Sequence, residues 1–362
     1  MVPSQTSKPT VINVQYLRAL AAIIVAFSHS AADVARLHGV QVDFPLPGPF
    51  GVEIFFVISG FIICHANLDR AGQGGKRVLR FLNGRFWRIV PFYWLCTTLY
   101  LAIAMLAAGT VNRDSTSIAH VVASYAFLPW PAPDGRIGPV YALGWSLNFE
   151  MFFYAFFAGA MFLRPRWALA ALTLVFVSLA ALHPYFPEPG ALAFWSAPYI
   201  LEFVIGMWLS VLSRRIDWRG PGWAFWPVAL AILAIAAAFF QARHVPGSGE
   251  GVTPWSILFA SLLVAAGVFL RPANDVAGIF GRVGDSSYSL YLLHMFVIRA
   301  GVIALGITGV YWPYPLTMLA LVAASCIVSW YSFRYIETWF AEQARRRPKD
   351  GDPMAGATTS IA

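Results

Sequence analysis

An arginine and a histidine interrupt the first long apolar segment of the chain, VQYLRALAAIIVAFSHS, at residues 14–30. Arg18 and His29 are eleven positions apart, which on an α-helix is about 20° beyond three full turns and a rise of about 16 Å. The two side chains therefore share one face at different depths. A charge at the centre of a membrane helix costs about 2.5–3.5 kcal/mol, so such groups usually face a cavity or a partner. The spacing predicts a functional face with an imidazole suited to acid–base chemistry.

Carboxylates in two later apolar segments are candidate partners for this imidazole. Glu53 lies in GVEIFFVISGF, and Glu150 lies in GWSLNFEMFFY. Either can orient an imidazole or a bound hydroxyl, and Asp33, one turn after His29, is a further candidate. Structural roles are the alternative: Arg18 extending to the membrane surface, and His29 or a glutamate joining helices by a hydrogen bond.

Arginines and hydroxyl groups mark two further positions. FLNGRFWRIVPFYW places Arg85 and Arg88 on one helical face at i, i+3, where guanidinium groups suit phosphate, or simply anchor the membrane boundary. GDSSYSLYLLHMF carries Tyr288 and His294 in a later apolar segment, where polar side chains line a pocket or join helices. Together these residues predict a donor with a charged head and a long, thin reactive arm.

The composition predicts the elements that position these residues. With 59% hydrophobic and 12% charged residues and a mean hydropathy of +0.64, the chain is expected to be an all-α, polytopic membrane helix bundle and not a soluble enzyme. The formal net charge is +8, but the basic residues lie in short loops, which argues against nucleic acid as a partner. Ten spans of about 20 residues are predicted, at residues 14–33, 50–68, 88–109, 142–163, 167–183, 194–213, 222–241, 254–271, 285–306 and 314–335.

The loop charges predict the orientation. With the N-terminus inside, eighteen of the 25 Lys and Arg residues fall in cytoplasmic segments and four in outer loops, so both termini are expected to be cytoplasmic. Residues 1–13 are predicted to be a cytoplasmic segment, residues 14–336 the transmembrane domain, and residues 337–362 a cytoplasmic, disordered tail. A short apolar stretch at residues 118–129 is predicted to be interfacial or re-entrant.

Five ordered motifs resemble the signatures of the membrane-bound acyltransferase-3 family: LRALAAIIVAFSH, GVEIFFVISGF, RFWRIVPFYW, GWSLNFEMFFY and SYSLYLLH. The resemblance extends from about residue 12 to residue 336, and NFEMFFY is most similar to the branch that acylates bacterial exopolysaccharides. It implies a multi-pass protein of the bacterial inner membrane that moves an acyl group, most often acetyl from cytoplasmic acetyl-CoA, to a hydroxyl of a surface or exported carbohydrate. The implied partners are that acceptor, lipid-linked or not, membrane lipid and polysaccharide assembly machinery, with no metal.

The resemblance also assigns residues. The family's Arg and His fall on Arg18 and His29, its arginine pair falls on Arg85 and Arg88, its WSL motif falls on Trp145, Ser146 and Leu147, and the first Glu of its EEQFY motif falls on Glu150. Met151 and Phe152 replace the second Glu and the Gln of that motif, so a second carboxylate is missing here.

The expected mechanism begins with the phosphates of acetyl-CoA near Arg85, Arg88 and Arg18, and the pantetheine arm reaching along the first helix to His29. A histidine oriented by Glu150 or Glu53 then deprotonates the sugar hydroxyl, or carries the acyl group itself.

Several choices remain open from the sequence. Ser146 or Tyr288 is a candidate for stabilising the oxyanion, with helix packing as the alternative for each. The acyl group is acetyl or another short group such as succinyl. A proton-coupled transporter or flippase is the competing function, although no inverted repeat is visible, and a non-catalytic assembly factor for polysaccharide export is a third.

Overall fold

The computed structural model describes residues 10–40, 44–106, 117–132, 135, 137–216, 218–243, 253–273, 278–310 and 312–346. Over these residues the chain is helical, with isolated bridges and no β-strand. The α-helices are α1 Thr10–His38, α2 Gly48–Asn67, α3 Gly75–Leu106, α4 Ile118–Tyr125, α5 Trp145–Ala160, α6 Pro165–Leu182, α7 Ala191–Ser196, α8 Ile200–Arg215, α9 Phe225–Ala242, α10 Pro254–Phe269, α11 Ile279–Asp285, α12 Ser287–Thr308, α13 Tyr314–Ser332 and α14 Thr338–Arg346.

Each predicted span coincides with one helix, or with two in the case of residues 194–213, and the all-α class is confirmed. Eight helical segments among the described residues are long and apolar enough to cross a membrane, which is consistent with a polytopic bundle. The helices α5 and α10, of 16 residues each, are not among these eight, so the count of ten stays a prediction, as does the cytoplasmic side of both termini. The eight segments are Ile12–His38, Gly48–Arg70, Gly75–Leu106, Pro165–Tyr185, Ala191–Arg215, Gly222–Ala242, Ser287–Thr308 and Tyr314–Gln343.

Helix boundaries differ from the predicted spans for two physical reasons. The helix α3 begins at Gly75, well before the predicted start at residue 88. Basic residues lower the hydropathy of the stretch before residue 88, so a search for apolar spans misses this helical extension. The predicted span at residues 194–213 is interrupted between α7 and α8, where Ala197 is extended with ψ 145°. Proline disfavours a helical conformation in the residue before it, and Pro198 follows this residue.

The stretch at residues 118–129, which is predicted to be interfacial or re-entrant, contains the short helix α4.

The two ends of the chain are described only in part. A π-helical segment, Phe333–Glu337, connects α13 to α14, so the first part of the predicted tail is helical as far as Arg346. Residues 1–9 and 347–362, which hold most of the predicted N-terminal segment and the rest of the tail, lie outside the described residues.

The chain forms two compact units. The first unit comprises Met1–Gly51, Ile216–Ser248 and Leu262–Ala362, and in it α1 packs against α11, α12 and α13. A Cβ atom on Gly284 of α11 would lie 2.3 Å from the Gln15 carbonyl oxygen, so only glycine permits this approach of α11 to α1. A buried apolar cluster joins α1, α12 and α13 and contains Ala31, Val34, Ile298, Met318 and Leu321.

The second unit comprises Val52–Arg215 and Gly249–Ser261. Its helices α2 and α8 approach closely, because a Cβ on Gly206 would lie 2.1 Å from the Val57 carbonyl oxygen and one on Gly60 would lie 2.2 Å from the Phe203 carbonyl oxygen. Small residues permit such contacts between membrane helices. The ring of Phe56 packs beside this contact against rings of α5, of α8 and of the residue before α8 at centroid distances of 4.8–6.1 Å, those of Trp145, Phe149, Phe203 and Tyr199.

Candidate active site

Two histidines from different helices contact each other in the first unit. The Nδ1 atom of His29 on α1 lies 2.9 Å from the Nε2 atom of His294 on α12, and the rings stack with centroids 5.0 Å apart. His294 is fully buried and His29 is half-buried. The sequence singled out both residues, and the structure shows that they are hydrogen-bond partners.

The partners of His294 determine which ring nitrogens carry protons. Its Nδ1 atom lies 2.9 Å from the Leu290 carbonyl oxygen, one turn earlier on α12. A carbonyl only accepts hydrogen bonds, so this nitrogen carries the proton, and Nε2 of the neutral ring is an acceptor. His29 therefore donates from Nδ1 and keeps a lone pair on Nε2. A half-buried imidazole in this tautomer is suited to take a proton from a hydroxyl or to attack a carbonyl carbon.

Arg18 belongs to a polar network between α1 and α11. Its Nη1 atom donates to Gln15 Oε1 at 3.1 Å, and Gln15 Nε2 donates in turn to Asp285 Oδ1. Arg18 is buried, and α1 is continuous from Thr10 to His38, so the predicted rise of about 16 Å to His29 applies. The network holds the guanidinium in place near the start of α1.

Asp285 is the acidic member of this network and precedes the candidate span Ser287–Thr308. Burial raises the pKa of Asp285, while the hydrogen bond from Gln15 and the charge of Arg18 oppose that shift. The carboxylate is thus only partly compensated for its loss of water.

Asp33 and residues of α12 make further polar contacts in the first unit. Asp33 is buried and forms ion pairs with Arg36 and with Arg299 Nε at 3.7 Å, and it is also in electrostatic contact with His29. Tyr288 is half-buried at the start of α12, and the neighbouring Ser289 donates to Glu337 Oε2 at 2.7 Å. A role for Tyr288 at an oxyanion stays a prediction.

Glu150 lies at the centre of a hydrogen-bonded group in the second unit. Its Oε1 atom accepts from Ser59 Oγ on α2 and from the Tyr154 hydroxyl on α5, both at 2.7 Å. The guanidinium carbon of Arg85 on α3 lies 5.9 Å from the centroid of the Tyr154 ring, and Arg85 is in electrostatic contact with Glu150. Arg88 follows one turn later on α3. Two predicted site residues, Arg85 and Glu150, are therefore brought together.

The arginine pair retains donors that suit phosphate. Both Arg85 and Arg88 are half-buried, and within the described part of the chain neither forms a salt bridge with a carboxylate. A guanidinium carries five N–H donors in a planar fork that matches phosphate oxygens. The chemistry of this pair therefore fits the phosphate groups of a CoA donor.

Glu53 faces a second buried carboxyl group. Glu53 is 2% exposed and Glu202 on α8 is fully buried, and the two are in electrostatic contact. Ser256 lies within hydrogen-bonding reach of Glu53, but Glu53 Oε2 and both Glu202 oxygens have no hydrogen-bond partner among the described residues. Glu202 was missed, although an acidic residue within an apolar span is the same signal that singled out Arg18 and His29.

The WSL motif lies at the start of α5. Trp145 is half-buried and its ring lies 5.1 Å from that of Tyr199, while Ser146 is buried and donates to the Leu143 carbonyl oxygen at 3.5 Å. These contacts are those of helix packing. A role for Ser146 at an oxyanion stays a prediction.

The structure divides the predicted residues between the two units. Arg18, His29, Tyr288 and His294 lie in the first unit, and Glu53, Arg85, Arg88, Trp145, Ser146 and Glu150 lie in the second. The orientation of His29 by Glu53 or Glu150 links residues of different units and stays a prediction. Tyr154 was missed, although it follows Glu150 at the i, i+4 spacing that brings helical side chains together. Among the described residues, no three His, Cys, Asp or Glu side chains come together as metal ligands.

Comparisons with known proteins agree with the motif pattern. The sequence model of the family described as "Acyltransferase domain" matches residues 11–334. The chain is 32% identical to the exopolysaccharide production protein ExoZ of Rhizobium meliloti, over 83% of this chain and 92% of that protein. It is 27% identical to the acyltransferase MdmB of Streptomyces mycarofaciens, over 83% of this chain and 81% of that protein.

A more distant relative is longer than this chain. The peptidoglycan O-acetyltransferase OatA of Listeria monocytogenes is 23% identical over 92% of this chain, and the match covers 56% of OatA. No solved structure matches the chain.

Proposed function

This chain belongs to the acyltransferase-3 family, and from that membership we propose that it moves an acyl group from cytoplasmic acyl-CoA to a hydroxyl of a surface or exported carbohydrate. The family and its relatives make the chain an O-acyltransferase, and its eight apolar helices indicate a multi-pass membrane protein. The observation that carries the proposed chemistry is the His29–His294 hydrogen bond, since it leaves a basic lone pair on His29 Nε2.

In the proposed reaction His29 acts as the base. Nε2 takes the proton of the acceptor hydroxyl as its oxygen attacks the thioester carbonyl carbon. The tetrahedral intermediate then expels the CoA thiolate, which takes the proton back from His29, so that an ester and free CoA are the products. His294 supports the step, because its Nε2 accepts the hydrogen bond from His29 Nδ1–H and stabilises the imidazolium that forms transiently.

An acyl-histidine uses the same lone pair. In that alternative Nε2 attacks the thioester first, CoA leaves, and the acceptor hydroxyl then attacks the acylated ring. Rapid-quench trapping with radiolabelled acetyl-CoA distinguishes the two routes. A labelled enzyme that forms and decays at the turnover rate indicates the covalent route, while ternary-complex kinetics without such a species indicate the general base.

The donor is proposed to be acetyl-CoA, with its phosphates bound by Arg85 and Arg88, and with Arg18 as a further phosphate ligand. Support for acetyl comes from OatA, which is named a peptidoglycan O-acetyltransferase. Support for an exopolysaccharide acceptor comes from ExoZ, which is named an exopolysaccharide production protein. We place the enzyme in the bacterial inner membrane beside polysaccharide assembly machinery, where a lipid-linked acceptor is at hand.

Transfer of labelled acetyl tests the proposal directly. Membranes that contain the wild-type chain are expected to move label from acetyl-CoA to the cell-surface polysaccharide, and His29→Ala is expected to lower the rate at least 100-fold, since a positioned base contributes about 10²–10⁴-fold. His38→Gln, at the last residue of α1, is the matched control and should retain the wild-type rate. Full transfer by a folded His29→Ala protein contradicts the proposed role, and transfer of succinyl but not acetyl redefines the donor.

A further inference from the structure

We infer that Tyr154 is a positioning residue for Arg85, and that Glu150, which is held by Ser59, acts through Tyr154 on donor binding. This inference rests on the proposed function, in which Arg85 binds a phosphate of the acyl donor. It gives Glu150 a different role from the orientation of His29 that the sequence favours. All four residues lie in the second unit.

The carboxylate of Glu150 is held by two donors on one oxygen. Ser59 Oγ and the Tyr154 hydroxyl both donate to Oε1 at 2.7 Å. Ser59 comes from α2, while Tyr154 is one turn after Glu150 on α5. Hydrogen bonds to a charged acceptor are about twice as strong as those between neutral groups. The carboxylate therefore has one orientation, and Tyr154 in turn has one position for its ring.

Tyr154 stands between Glu150 and Arg85. The guanidinium carbon lies 5.9 Å from the ring centroid, within the range of a cation–π contact, and Arg85 is in electrostatic contact with both Tyr154 and Glu150. A guanidinium removed from water needs a nearby negative charge. Glu150 supplies that charge without touching Arg85, so the charge is compensated across the phenol ring.

The interposed tyrosine has a chemical consequence for binding. A direct fork between an arginine and a carboxylate would occupy two N–H donors. In the described part of the chain Arg85 has no such salt bridge and hydrogen-bonds to Tyr154, so its other N–H donors remain for a phosphate group of the donor. The network thus fixes the arginine and leaves most of its N–H donors for binding.

The test separates donor binding from chemistry by using two donors. The full-length enzyme in phosphatidylcholine nanodiscs is assayed with acetyl-CoA and with acetyl-pantetheine, which lacks phosphate. Tyr154→Phe keeps the ring and removes the hydroxyl, and with it the hydrogen bonds to Glu150 and to Arg85. It is expected to raise KM for acetyl-CoA about tenfold, which corresponds to about 1.4 kcal/mol, with kcat within twofold and KM for acetyl-pantetheine unchanged. Glu150→Gln should behave alike, and Ser59→Ala should show a smaller rise in KM.

Tyr185→Phe is the matched control, since Tyr185 is 81% exposed, and it should leave both constants unchanged. The inference is overturned if Tyr154→Phe leaves KM for acetyl-CoA unchanged, which includes the case in which Arg85 binds a lipid phosphate instead. It is also overturned if Glu150→Gln lowers kcat equally with both donors, since Glu150 then acts at the reacting atoms.

The proposed function fails separately. If the wild type transfers acyl groups from neither donor, acyl transfer is the proposal that fails, and calorimetry with CoA still tests the network. Tyr154→Phe is then expected to weaken the Kd for CoA about tenfold, and an unchanged Kd contradicts the inference. Should Glu150→Gln not fold, Tyr154→Phe carries the test alone, because it preserves the ring packing of α5.

Discussion

The two units stabilise buried polar side chains in different ways. In the first unit a neutral imidazole satisfies another, and His29 keeps one basic nitrogen while His294 is fully buried. In the second unit charges are involved, and Tyr154 separates the carboxylate of Glu150 from the guanidinium of Arg85. The neutral pair leaves a lone pair on His29 that can react, whereas the separated charges leave N–H groups of Arg85 that can bind a phosphate. This difference matches the proposed function, in which His29 of the first unit reacts and Arg85 of the second unit binds a phosphate of the donor.

Replacement of His294 by leucine is expected to have the largest effect. The acceptor for His29 Nδ1–H disappears, so the ring can turn or change tautomer, and kcat should fall about 100-fold with KM for the donor unchanged. His294→Gln offers an oxygen acceptor and should recover a substantial part of kcat. Steady-state kinetics of labelled transfer measure both variants. Equal losses for leucine and glutamine would show that His294 contributes packing and no hydrogen bond.

Gly206→Ala should destabilise the second unit strongly. The added Cβ would lie 2.1 Å from the Val57 carbonyl oxygen and 2.7 Å from the Phe61 backbone nitrogen, so α2 and α8 must separate, at a cost of about 1–3 kcal/mol for overpacking. KM for the donor should rise as well, because α2 carries Ser59, which holds Glu150. Thermal denaturation in detergent measures the loss.

Alanine substitutions at two other glycines serve as comparisons for this stability prediction. At Gly159 of α5 nothing lies within 4 Å of an added Cβ, and Gly159→Ala should therefore be as stable as the wild type or slightly more so. Gly284→Ala makes the corresponding clash in the first unit with Gln15, which holds Arg18, so it is expected to lower kcat and also to raise KM for the donor. An unchanged kcat in a folded Gly284→Ala protein would contradict the assignment of the reacting group to the first unit.

Substitution of the two arginines by lysine should weaken donor binding moderately. Lysine keeps the charge and loses the planar fork, so Arg85→Lys is expected to raise KM for acetyl-CoA about tenfold, with kcat nearly unchanged. Arg88→Lys should have a smaller effect, because no hydrogen-bonded network among the described residues holds Arg88. Kinetics with both donors check this order, and a larger effect of Arg88→Lys would make Arg88 the principal phosphate ligand.

The sequence predicted the helices well because apolar length is the physical requirement for a span. The positions of Arg18 and His29 on one helix follow from spacing alone, and α1 confirms the continuous helix. What spacing does not provide is the partner on another helix. His294 is 265 residues from His29, and both were singled out as costly polar residues, yet only packing of α1 against α12 shows that they are paired.

The second unit shows the same limit for carboxylates. Glu150 and Glu53 were both assigned to His29 because their depth was the only information available. In the structure Glu150 is bonded to Ser59 and Tyr154, and Glu53 faces Glu202. The depth of a residue in the membrane can be predicted from its position in an apolar segment, whereas the direction of its side chain depends on close helix contacts such as that at Gly206.

Replacement of Asp69 and of Asp285 by asparagine should give the smallest effects, and it tests the electrostatics of each unit. Asp69 in the second unit pairs with Arg214 and is 75% exposed, so Asp69→Asn should cost less than about 1 kcal/mol and the loss should vanish at high salt. Asp285 in the first unit has a pKa raised by burial. Its contribution to stability is therefore present at low pH and is lost as the pH rises through the raised pKa.

Asp285→Asn is accordingly expected to remove that decline and to leave the protein at neutral pH as stable as the wild type or slightly more so. The amide oxygen can still accept from Gln15 Nε2, so the contact between α1 and α11 remains. Thermal denaturation between about pH 4 and pH 8 measures the difference. A marked loss of stability at neutral pH would show that the ionised carboxylate is needed beside Arg18, and would place a functional charge pair in the first unit as well.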